Sequence, residues 1–151
     1  MKKLLVSVLV ICMFVCMVGC TATTSMTLTY NVDNGDSINV KLVTIDGYSM
    51  TAESPFVIIK GEEVITTGTF INSKDFEAYY KAVAIDESAE TIEEGEKNGY
   101  EYLFWHYDAG EWQEYNYAIR VTGTNTGILL GNTVSKESAQ EVFDRLTFSV
   151  K

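Results

Sequence analysis

Two periodicities divide the chain. From residue 27 to about 71 the apolar positions alternate or fill short runs bounded by turn residues, which is the signature of strands. "TLTYNV" and "SINVKLVTI" flank Asp33-Asn34-Gly35-Asp36, a cluster that reads as a hairpin turn. "PFVIIK" and, beyond Gly61, "EVITTGTFI" predict two further strands, with Pro55 standing where one begins. At Ser73 the period changes. Phe76, Tyr79, Tyr80 and Val83 fall at i, i+3, i+4 and i+7, one face of a helix that Asn72 or Ser73 could cap. The next segment, "DESAETIEEGEKNG", is acidic and poor in apolar residues, and reads as a surface loop with one short strand near Thr91.

"YEYLFWHY" and "WQEYNYAIRVT" then predict two long strands joined by Asp108-Ala109-Gly110-Glu111, and "GTNTG" is a turn leading into "ILLG". A last helix runs from about Ser135 to Leu146, its apolar face made by Ala139, Val142, Phe143 and Leu146, and "TFSV" closes the chain as a strand. Strands, a helix, an antiparallel meander, a helix and a short strand make an α+β fold, with helices packed on an antiparallel sheet. The ending "GTNTGILLGNTVSKESAQEVFDRLTFSV" resembles the carboxyl end of Mog1/PsbP-like domains, and a looser likeness extends back to about Thr27. That resemblance implies an α/β/α sandwich, one antiparallel sheet between helices. It also implies a binding or assembly role, since the family's members mostly resemble binding or assembly proteins, many bacterial lipoproteins of unknown role among them, and it supplies no catalytic residues.

The amino-terminal region changes the picture. Lys2 and Lys3 precede Leu4 to Val18, fifteen residues in which Ser7 alone is polar. This matches the apolar core of an export signal and falls short of the roughly 20 residues that a spanning helix needs. Met17-Val18-Gly19-Cys20 resembles the lipobox of bacterial lipoproteins, in which the cysteine becomes the lipid-modified first residue of the mature chain. An ordinary signal peptide or a short uncleaved anchor is the alternative. The organisation expected is a signal over 1–19, a polar tether over 20–26 and one domain over 27–151. A lipid on Cys20 would hold the domain to the membrane's extracytoplasmic face by acyl burial.

All three cysteines, Cys12, Cys16 and Cys20, lie in this region, so a mature chain of 132 residues has no pair for a disulfide and relies on its core. Removal of Lys2 and Lys3 leaves nine bases against 21 acids, a formal net charge of −12. That charge argues against nucleic acid, whose phosphates require Lys and Arg, and against adhesion to anionic head groups.

Candidate chemistry is sparse. His106 is the single histidine, too few for zinc, and no serine occupies a nucleophile-elbow context beside it. "GTNTG" lacks the Lys-Ser/Thr ending of a phosphate loop and precedes a strand. Asp86, Glu87, Glu90, Glu93, Glu94 and Glu96 form an acidic run without EF-hand spacing, so no metal and no cofactor is expected.

The aromatic hairpin is more informative. A four-residue loop over 108–111 sets Tyr107 opposite Trp112 and leaves Trp105, Tyr107 and Trp112 together on a mixed face near the turn. Exposed, these rings could stack on a sugar or anchor a protein; under a helix they are core. The expected function is a non-catalytic binding or assembly module for an envelope protein partner. The alternative is a small-ligand or glycan binder using those three rings.

Overall fold

The computed structural model describes residues 24–151. The segment read as an export signal, and Cys20, lie outside the described residues. The tether read over 20–26 ends sooner, because Ser25 and Met26 already belong to the first strand, β1 (Ser25–Asn31).

β1 turns through Asp33 to Asp36 into β2 (Ser37–Val43), and the pair forms the antiparallel hairpin that the turn residues predict. Gly35 occupies the left-handed region, φ +93°, where a side chain would be strained. β2 also pairs with the last strand, β10 (Leu146–Val150), so β1, β2 and β10 make a small sheet of three strands with β2 central.

The other strands form a large sheet. They are β3 (Tyr48–Met50), β4 (Phe56–Lys60), β5 (Glu63–Asn72), β6 (Ala89–Lys97), β7 (Tyr100–Asp108), β8 (Gln113–Val121) and β9 (Thr126–Asn132). Their spatial order is β3-β4-β5-β9-β8-β7-β6, and every recorded pairing is antiparallel. Insertion of β9 between β5 and β8 leaves β6 as the free edge on the far side.

Helix α1 (Ser73–Ile85) starts where β5 ends. The Asn72 side chain accepts the Lys74 amide at 3.0 Å, and the Asp75 carboxylate accepts the Asn72 amide at 3.2 Å, which closes a reciprocal capping box. Of the predicted helical stripe, Phe76 and Val83 are buried, Tyr79 is half-buried and Tyr80 is exposed. Helix α2 (Lys136–Arg145) is capped by Ser135, whose hydroxyl accepts the Ser138 amide at 3.1 Å. Its face of Ala139, Val142 and Phe143, continued by Leu146, is buried as the period predicts.

α1 lies on one face of the large sheet, against Leu103, Trp105 and Ala118. The opposite face carries Tyr100, Phe104, Tyr117, Ile119, Ile128 and Leu130 into the main core, shared with α2 and the small sheet. Ring pairs bind that core: Phe104 stacks on Tyr117 at 4.1 Å, and Tyr117 on Phe143 at 4.1 Å. Asn132 is buried there with its bonds made. Its amide nitrogen donates to Thr66 Oγ1 and Ser138 Oγ, each at 3.0 Å, and its carbonyl accepts the Val134 amide at 2.9 Å. The sheet-rich α+β architecture is therefore present.

Three details differ from the sequence reading. Residues 89–97 form a full edge strand where a loop with one short strand was expected. β3 is an additional strand of three residues. The hairpin loop sits one residue further on, over 109–112, because Asp108 closes it: its carboxylate accepts the Gly110 amide at 2.8 Å and the Gln113 side chain at 3.1 Å.

Candidate functional site

The moved loop changes every partner along the hairpin. Tyr107 faces Glu114, Trp105 faces Asn116 and Glu101 faces Arg120. The slip changes each partner by two positions, so the division into faces survives while the cross-strand pairs do not. Trp105 and Tyr107 both point to the α1 side. Trp105 is 6% exposed, with its ring 5.9 Å from that of Tyr79 on the helix. Tyr107 packs at the margin of this cluster, half-buried. Trp112 stands in the turn, 56% exposed. The three rings therefore do not form one open platform, since α1 covers the first.

His106 lies on the opposite face and stacks on Tyr115 at 4.6 Å, with Nε2 buried and without a hydrogen-bond partner. Glu90, on the neighbouring strand, and Lys136 border the same recess. No group of three or more His, Cys, Asp or Glu side chains among the described residues is placed to hold a metal ion. Among the described residues, no helix is long and apolar enough to cross a membrane.

The acidic run forms a more coherent surface. Beside α1, between the helix and the strands β6 to β8, lies an open cleft of about 440 Å³. Arg120 is the one cation among the described residues that line it. The guanidinium pairs with Glu77 of α1 and, at 2.9 Å, with Glu101 of β7, and it lies 4.7 Å from the centre of the Phe76 ring. The side chain keeps 31% of its exposure, so these pairs are screened and each contributes at most about 1 kcal/mol. Arg120 Nε is buried and has no partner.

On the other wall Tyr80 meets Glu94, and the hydrogen bond to that carboxylate raises the phenol above its ordinary range. Across the sheet, on the α2 side, the Tyr102 ring packs near Tyr117 and Phe143 and its hydroxyl donates to Glu93 at 2.6 Å. That bond, reinforced by burial and by the negative charge of Glu93, holds its phenol up at about 12. Three glutamates, Glu77, Glu94 and Glu101, border the cleft against one arginine, so its balance is acidic.

Sequence reasoning missed Arg120 and its partners, although a signal existed. Opposite charges directly across a strand pair stabilise it. Only the true register sets Arg120 against Glu101, whereas a loop over 108–111 would have set Glu101 against Ala118.

No family model matches the sequence, and a search of curated proteins finds no match.

Proposed function

We propose that the chain is a lipoprotein anchored through Cys20 to the extracytoplasmic face of a membrane. Its domain is a non-catalytic module that binds or assembles with a protein partner in the cell envelope. In this reading the fold is a variant of the Mog1/PsbP-like sandwich. Support comes from α1 and α2 on opposite faces of the large sheet and from the closing helix and strand.

The observation that carries the functional reading is the cleft beside α1. It is open, combines ring faces with carboxylates, and lies along the free edge of the large sheet. Here Arg120 is shared between two glutamates, and the phenol of Tyr80 is tied to Glu94. Such an arrangement presents charge and aromatic surface to a partner. The glycan alternative would rest on Trp112 with the margin of Tyr107, because Trp105 lies under α1.

The test is chemical cross-linking of the full chain in intact cells. A protein partner recovered reproducibly from the membrane fraction, and lost when Cys20→Ser releases the chain, supports the reading. Recovery of no protein, or turnover of an envelope substrate abolished by a single carboxylate change, contradicts it.

A further inference from the structure

Among the described residues β6 is the longest strand with a free edge, nine residues with β7 on one side and no described strand on the other. Such an edge exposes unpaired amides and carbonyls, which are a template for another strand. A register shift between Thr91 and Glu93 interrupts it, so its regular part is Glu93–Lys97. A bulge of this kind twists one end of an edge away and leaves the other straight.

Cross-strand pairs place the side chains. Glu94 and Glu96 lie opposite Leu103 and Glu101, hence on the α1 face beside the Arg120 cleft. Glu93, Gly95 and Lys97 lie opposite Phe104, Tyr102 and Tyr100, on the other face. Gly95 marks a place for close approach: a Cβ there would stand 3.2 Å from Tyr102 Oη, and the hydrogen leaves the backbone bare at mid-edge.

We infer that Glu93–Lys97 is a docking edge for an extended, basic segment of a protein partner. The segment adds as an eighth strand of the large sheet and directs alternate Lys or Arg side chains to Glu94, Glu96 and the mouth of the Arg120 cleft. The inference rests on the protein-partner reading and specifies the partner's chemistry. Charge decides between the occupants. A second copy of β6 would set glutamates against glutamates, and like charges directly opposite destabilise a strand pair. A basic strand reverses that sign, while the backbone bonds of strand addition supply affinity that ion pairing alone does not. Near the cleft mouth, the exposed Tyr80 ring offers a face to the incoming cation.

The test uses the full chain in non-ionic detergent micelles and a synthetic nonapeptide of alternating lysine and threonine. Two companions are needed: the same peptide with alternate amides methylated, and a glutamate-for-lysine version. The inference expects saturable binding, slower hydrogen exchange in residues 93–97, and at least a tenfold loss of affinity on amide methylation. It expects a similar loss in the double variant Glu94→Lys/Glu96→Lys, whose two sites are exposed and whose folding is checked by urea unfolding. Equal binding of the methylated peptide, protection confined to other strands, or no binding at all overturns it. In cells, a partner cross-link that survives Glu94→Lys/Glu96→Lys removes this inference and leaves the protein-partner reading standing. A wild-type chain that cross-links to no protein removes both.

Discussion

Gly68 gives the sharpest perturbation of the packing between the two sheets. It faces Phe56 across the β4–β5 pair. A methyl group added there would lie 2.1, 2.3 and 2.6 Å from three atoms of the Phe56 ring. Carbon atoms in contact prefer about 3.5–4.0 Å, so the ring would have to retreat by roughly 1.4 Å. Phe56 is fully buried, with the rings of Tyr30 and Phe70 at 5.4 and 5.7 Å. Overpacking of this kind costs about 1–3 kcal/mol. The backbone of Gly68 is outside the left-handed region, so alanine fits its conformation. Loss of unfolded-state freedom should then return about 0.4–1 kcal/mol.

Steric conflict is the larger effect, and Gly68→Ala is expected to lose about 1–2 kcal/mol net. Urea unfolding followed by the fluorescence of buried Trp105 measures it. In a Phe56→Leu background the same change should be neutral or mildly stabilising, because the ring that blocks the methyl is gone. A Gly68→Ala protein as stable as the parent, or a loss of equal size in both backgrounds, would refute the reasoning.

Acrylamide should quench fluorescence strongly in Trp105→Phe, which keeps the exposed Trp112, and weakly in Trp112→Phe, which keeps the ring beneath α1; equal slopes would contradict that placement. Asn132→Ala should cost about 1–3 kcal/mol in urea unfolding, because the buried hydroxyl of Thr66 loses the donor it accepts from. Burial holds the Tyr30 phenol up at about 12, and the bond to Glu93 holds that of Tyr102 there too. A raised phenol stabilises the fold fully below its ordinary value of about 10 and loses that contribution as pH climbs toward the folded value. Unfolding midpoints should therefore be steady up to pH 10 and fall between 10 and 12, more gently in Tyr102→Phe; a fall beginning near neutrality would contradict this.

The helices were legible because their apolar residues repeat at helical spacing: Asn72, one of the two caps expected, holds a first-turn amide of α1, and Ser135, read only as the start of the last helix, holds one of α2. The strands of the meander were equally plain, since both of their faces carry large apolar side chains. β6 was not, for a physical reason. An edge strand buries little and is protected by charge, so "AETIEEGEK" has the composition of a solvated loop while its backbone pairs with β7. β3, at three residues, is too short to show any period.

The hairpin loop turned on a single side chain. The carboxylate of Asp108 accepts the amide of Gly110, which fixes the closing pair as Asp108 and Gln113, and apolar alternation cannot sense a slip that preserves the faces. The Arg120 cleft stayed hidden for the same cause, because its ion pairs join β7, β8 and α1 only in the correct register.

The proposed anchoring stands on lipidation of Cys20, which would hold the domain at the membrane surface. The most direct measurement is the intact mass of the chain extracted from cell membranes, with its terminal peptide sequenced. The account predicts a mature chain beginning at Cys20 and carrying an acylated glyceryl group on that sulfur. A chain that begins elsewhere, or an unmodified Cys20, would contradict it.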